Sequence, residues 1–108
     1  MSPEPVSKSA PPLTGRQRRH LRGLAHSIRP LVQVGEAGIS PAVLKALGEA
    51  LRDHELVKVR LQQPDDKKAA ARALADAMDA QLCGVVGHTV ILYRRREDDP
   101  KIELPGLD

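Results

Sequence analysis

Residues 31–43, LVQVGEAGISPAV, run from a short apolar segment through two glycines into a helix start, and the rest of the chain arranges around that order. Leu31, Val32, Gln33 and Val34 suit a short strand opened by Pro30. Gly35 and Gly38 allow a tight reversal, Ser40 has the side chain of a helix cap, and Pro41 suits the first helical position. A strand, a Gly-x-x-Gly loop and a helix N-terminus in sequence gather backbone donors and the positive helix end at one exposed spot, which suits a phosphate. Ordinary strand-to-helix turns use the same residues, so a plain turn and a phosphate-facing loop both fit these residues alone.

A chain of 108 residues accommodates one domain with an additional end. Its apolar residues are mostly Leu, Val and Ala, with one Tyr and no Phe or Trp. Aromatic stacking platforms are therefore nearly absent, which argues against the single-strand readers that seat bases on rings. Seventeen Lys and Arg against fourteen Asp and Glu leave a net charge of only +3, so the distribution matters more than the sum. Residues 14–29 hold five Arg and two His with no acid. The single cysteine, Cys83, permits no internal disulfide. No stretch approaches 18 apolar residues and no apolar run precedes a cleavage-like site, so a soluble, cytoplasmic protein with no membrane partner is expected.

Residues 1–12, rich in Pro and Ser, read as a disordered leader. Thr14 and Gln17 have capping-box spacing, and Leu21, Leu24, Ala25 and Ile28 mark one face of a first helix near 15–27. Arg16, Arg19 and Arg22 project away from that face, with Arg18 and His20 on its flanks. Arginines in the first turns add to the positive helix end, an arrangement that local stability does not ask for. Either a solvated basic face or a phosphate-facing ridge accounts for them. A second helix from Pro41 to about His54 turns Val43, Leu44, Leu47 and Leu51 toward a sheet and Lys45, Glu49, Arg52 and Asp53 toward solvent.

Residues 56–62 form the clearest alternating strand, with Val57, Val59 and Leu61 on one face and Lys58 and Arg60 on the other, about 6 to 7 Å apart. Those cations suit either a wet sheet face or a phosphate contact. Pro64, Asp65 and Asp66 start a third helix whose inner face is Ala70, Ala71, Leu74, Ala77 and Met78. Residues 83–86 and 89–94 read as two strands joined by Gly87 and His88, a two-residue turn with Gly first, as in type II′. The order α-β-α-β-α-β-β predicts an α/β domain with a mixed four-stranded sheet and helices packed against it.

Chemistry-bearing groups do not assemble into a catalytic or metal-binding pattern. His20, His26, His54 and His88 stand in no ligand spacing with Cys83 or an acid, Cys83 reads as a core thiol, and Asp65 and Asp66 are explained by the helix start. No cofactor is expected, and the chain is read as a non-catalytic monomer. Phosphate binding explains the glycine loop, the arginines of the first helix, Lys58 with Arg60, and Arg94 to Arg96 together; these groups position a nucleic acid and specify little of its sequence. A scaffold meeting an acidic protein is the alternative.

Residues 13–26 (LTGRQRRHLRGLAH), 30–38 (PLVQVGEAG), 54–59 (HELVKV), 86–94 (VGHTVILYR) and 101–105 (KIELP) together resemble the CRM RNA-binding domain in its stand-alone bacterial YhbY form. The resemblance divides the chain into the leader 1–12, the RNA-binding domain 13–96 and a tail 97–108. It implies a fold related to the C-terminal domain of a bacterial translation initiation factor. It also implies RNA as partner, specifically rRNA in precursors of the large ribosomal subunit, and a role in ribosome assembly. By position the family's glycine loop maps to Gly35, Glu36, Ala37 and Gly38, and its basic helix to Arg16 through Arg22. The family often places a polar or basic residue inside the loop, whereas Glu36 and Ala37 offer RNA only backbone and close approach. The expected RNA-binding set is those loop residues with Arg16, Arg19, Arg22, Lys58, Arg60, His88 and Arg94.

Overall fold

A computed structural model describes residues 12–62, 64–96 and 98–105. The leader expected at 1–12 lies outside the described residues except for Pro12. Seven elements follow the expected order: α1 (Gly15–Ala25), β1 (Val32–Val34), α2 (Pro41–Asp53), β2 (Leu56–Leu61), α3 (Lys67–Met78), β3 (Gln81–Val86) and β4 (Thr89–Tyr93). The sheet order is β1-β2-β4-β3, with β1 and β2 parallel and both pairs made by β4 antiparallel. The α3 crossover also carries the chain between parallel strands, but β4 inserts between β2 and β3 and splits that unit.

The caps explain where the helices begin. Thr14 and Gln17 form a reciprocal capping box on α1, Ser40 Oγ accepts from the Val43 N–H on α2, and Asp66 caps α3 through the Ala69 N–H. The β3–β4 turn has a positive φ at Gly87, 61°, and none at His88, as a type II′ turn requires.

Both sheet faces are covered, unequally. On one face α2 and α3 bury Leu47, Leu51, Ala71 and Leu74 against Val57, Val59, Val90 and Leu92. On the other, α1 covers part of the sheet, joining Leu21 and Ala25 to Leu56, Cys83, Ile91 and Tyr93. Truncating one of these buried leucines to Ala costs on the order of 2–5 kcal/mol. This second layer is why Leu56 and Val57, adjacent in sequence and on opposite faces, are both buried.

Several local expectations are corrected. Helix α1 ends at Ala25, and the hydrogen bonds beyond it, such as Ile28 N–H to the Ala25 carbonyl at 3.2 Å, are tighter i→i+3 turns. Leu24 is 40% exposed, and the buried position on α1 that apolar spacing overlooked is Gln17. Leu31 precedes the strand and is exposed, β3 begins two residues earlier than expected, and β4 ends at Tyr93. On α3 Ala75 is buried along with Ala71, while Ala77 faces solvent.

Residues 98–105, the described part of the tail, pack on the domain. Ile102 and Leu104 lie against the α1-side core, and Glu55, although 4% exposed, holds the crossing backbone. Its Oε1 accepts from the Lys101 and Ile102 N–H groups, each at 2.8 Å, and its Oε2 from the Arg96 N–H at 3.0 Å. A buried carboxylate is tolerated where its lone pairs are taken up in this way. Gln17 Nε2 adds a bond to the Pro105 carbonyl at 3.1 Å.

Candidate nucleic-acid interface

The loop after β1 is a closed turn. The Gly38 N–H donates to the Gly35 carbonyl at 3.0 Å, leaving Glu36 and Ala37 exposed at its tip. Gly38 has φ 82°, in the left-handed region where a side chain is strained. Gly35 has no such requirement, and a Cβ added there meets no atom within 4 Å. The α2 N-terminus beside the loop offers fewer donors than the sequence suggests. Pro41 has no N–H, Ser40 Oγ takes the Val43 N–H at 3.2 Å, and the Leu44 N–H bonds the Ser40 carbonyl. In that first turn only the Ala42 N–H has no partner among the described residues.

Three strand ends converge here. The Gln62 N–H donates to the Val34 carbonyl at 2.9 Å and the Leu61 N–H to the His88 carbonyl at 2.7 Å. The glycine loop, the end of β2 and the exposed His88 turn therefore occupy the same end of the sheet. One register row inward, Gln33 pairs with Arg60, Arg60 with Thr89, and Thr89 with Val86. Paired residues share a sheet face. This row lies beyond the reach of α1: Gln33 and Arg60 are exposed, Val86 is 60% exposed and Thr89 is half-buried.

The expected cations divide into two groups. Arg16 and Arg19 on α1, and Arg60 on β2, are exposed. Arg22, Lys58 and Arg94 are half-buried and donate to backbone carbonyls. Lys58 Nζ reaches the Ala25 and Ile28 carbonyls at 3.0 and 3.1 Å, at the end of α1. Arg94 Nη1 reaches the Met78 carbonyl at 2.9 Å, at the end of α3. Both place positive charge at the negative end of a helix. Arg94 also sits at the end of the sheet opposite the glycine loop, because its strand neighbour Tyr93 pairs with Leu56 and Gln81. Arg22 Nη1 donates to the Cys83 carbonyl at 2.9 Å, where a bulge sets two β3 residues opposite Ile91.

Sequence reasoning missed Glu55 and Gln17 as the residues that fasten the tail; Gln17 was legible only as half of the capping box. It placed Cys83 correctly in the core. Burial pushes the Cys83 thiol up to about 12, against the opposing pull of Arg22 and Arg18. Burial likewise raises the Tyr93 hydroxyl, with the Glu55 charge adding to the shift. Among the described residues no group of three or more His, Cys, Asp or Glu could hold a metal ion, and no helix is long and apolar enough to cross a membrane.

Fold and surface together define a small α/β domain with a basic helix laid over part of a mixed sheet and a glycine turn at the sheet's open end. Residues 13–94 match the CRS1/YhbY (CRM) domain, and the chain belongs to that family of domains implicated in RNA binding. It is 40% identical over 95 residues to the probable RNA-binding protein YqeI of Bacillus subtilis, covering 86% of this chain and 99% of the relative. An RNA-binding protein of Haemophilus influenzae is 36% identical over 95 residues, 86% of this chain and 95% of that one. The solution structure of the hypothetical protein SAV1595 from Staphylococcus aureus is similar with a TM-score of 0.78 and 41% identity, across 86% of this chain and 99% of that chain.

Proposed function

We propose that this protein binds rRNA in precursors of the large ribosomal subunit and assists their assembly without catalysing a reaction. The observation that carries the RNA reading is the convergence of the Gly35–Gly38 turn, Arg60 and the His88 turn at one end of the sheet. Arg16 and Arg19 are exposed on α1, whose N-terminus is held toward the other end, where the Leu13 N–H donates to Gln81 Oε1. The likeness to bacterial YhbY proteins and to relatives named as RNA-binding supports it. The turn offers backbone and close approach to the RNA. Arg16, Arg19 and Arg60 supply the charge, while Arg22, Lys58 and Arg94 chiefly set the positions of the helices and the sheet.

RNA titration across salt compares wild type with an Arg16→Gln/Arg19→Gln variant. Two lost phosphate contacts reduce the slope of log affinity against log salt by about 1.5; equal affinity and slope would remove the helix from the interface. Sedimentation of tagged protein from cell extract tests the ribosomal half of the proposal. Co-migration with large-subunit precursors that disappears after nuclease treatment supports it. A complex that survives nuclease digestion favours an acidic protein partner instead.

A further inference from the structure

We propose that the uncovered strip of the sheet, Gln33, Arg60, Thr89 and Val86 together with Gln62, reads the edges of unpaired RNA bases and so supplies sequence preference that the surrounding arginines cannot. The inference rests on the RNA-binding reading above and adds the part of the RNA that this surface takes.

The strip is continuous across all four strands. Its four residues are register partners on neighbouring strands, so at about 4.8 Å per strand the row spans about 14 Å. Its border on the helix side is the Arg22 side chain, which crosses β3 over Gly84, two residues from Val86 on the same face. At its other border stand the strand ends that carry the glycine loop and the His88 turn.

The chemistry of the strip differs from that of the rest of the basic surface. Gln33 Nε2 donates to Gln62 Oε1 at 3.4 Å, and both side chains are exposed. Pairing in this way leaves one amide oxygen as an unused acceptor and one amide nitrogen as an unused donor, in either orientation of the pair. A phosphate can only accept hydrogen bonds, so that acceptor is of no use to it. A base edge presents donors and acceptors side by side and can satisfy both. Thr89 adds a hydroxyl that both donates and accepts, and Val86 offers an apolar seat beside it. Arg60, between the amide pair and the hydroxyl, attracts the nucleic acid and can also donate to a base.

Unpaired bases are the fitting ligand because their edges are open, whereas the deep, narrow major groove of an RNA duplex keeps base edges from side chains. With no Phe or Trp in the chain and Tyr93 buried, recognition here proceeds through base edges and one aliphatic contact in place of aromatic stacking.

The test uses the full chain and a pool of RNA hairpins with randomised loops. Wild type and a Gln33→Ala/Thr89→Val variant are each titrated with the pool across salt, and the bound loops are sequenced. The expected result is that wild type enriches particular loop sequences, and that the variant keeps the same salt slope while its enrichment falls about fivefold or more, the loss of a good side-chain–base contact. Matched thermal melts confirm that the variant is folded. Unchanged enrichment in the variant, or wild-type binding with no loop preference, overturns the proposal while leaving RNA binding intact. Failure of wild type to bind the pool overturns the RNA-binding reading as well.

Discussion

Arg22 lies so close over Gly84 that a Cβ built on the glycine comes within 2.7 Å of the arginine's Cδ and 3.4 Å of its Cγ. The contact fixes a long side chain against β3 and aims its guanidinium at the Cys83 carbonyl. Gly84→Ala must push Arg22 aside and break that bond. A charge-assisted hydrogen bond in a half-buried setting is worth about 1–2 kcal/mol. The expected loss in urea unfolding is of that size, and it is strongly non-additive: in an Arg22→Ala background the same glycine substitution no longer meets the arginine's Cδ and costs much less. Full additivity in the double-mutant cycle would show that Gly84 is required for some reason other than Arg22.

Lys58 and Arg60 stand two residues apart on one strand and one face, yet the fold gives them different surroundings. Lys58→Met keeps the aliphatic stem and removes both bonds to the end of α1, for an expected destabilisation of about 1–2 kcal/mol with little change in the salt slope of RNA binding. Arg60→Gln alters an exposed side chain, so stability stays within about 0.5 kcal/mol while the salt slope falls by about 1. Chemical unfolding and RNA titration on the same two variants separate structural from ligand-facing cations. The opposite pattern would reverse the roles assigned to them.

That pair also marks what was legible in the sequence. The period-2 pattern of residues 56–61 placed both cations on the correct face, and turn chemistry placed Gly87, Gly38 and the three helix starts. Alternation cannot say whether a face is covered, because the covering helix comes from elsewhere in the chain. The end of α1 happens to lie over Lys58 and stops short of Arg60. The same limit hid Glu55, whose three backbone partners lie more than 40 residues away in sequence, and it hid the bond that Arg94 makes to the Met78 carbonyl at the end of α3. Charge pattern identifies cations, whereas only packing shows which of them already have an acceptor.

Cys83 gives a pH dependence with a definite sign. Its thiol is raised from an ordinary value of 9.0 to about 12 by burial, so the native state holds the proton more tightly than the unfolded chain. The contribution is fully present below about pH 9 and is lost as pH rises toward 12. In that window each pH unit removes up to about 1.4 kcal/mol. Urea unfolding at pH 8 and pH 10, with Cys83→Ala as the reference for all other titrating groups, should show wild type losing about 1 kcal/mol more than the variant between the two. Equal losses would mean that the thiol ionises in the folded protein as it does in the unfolded chain.

The two glycines of the loop after β1 are expected to respond differently to the same substitution. Gly38→Ala forces a side chain into a backbone with φ 82°, at a cost of about 1–2 kcal/mol, so weaker RNA binding by that variant mixes folding with recognition. Gly35 has no positive φ, and its added Cβ meets no protein atom within 4 Å. Gly35→Ala is therefore expected to leave stability unchanged or to raise it by up to about 1 kcal/mol through the unfolded chain. An RNA backbone brought close to the loop would meet that methyl directly. Reduced RNA affinity with an undiminished melting temperature is the expected signature of close approach at Gly35. Unchanged affinity would confine the Gly35–Gly38 segment to turning the chain from β1 into α2 and leave RNA contact to the arginines and the sheet.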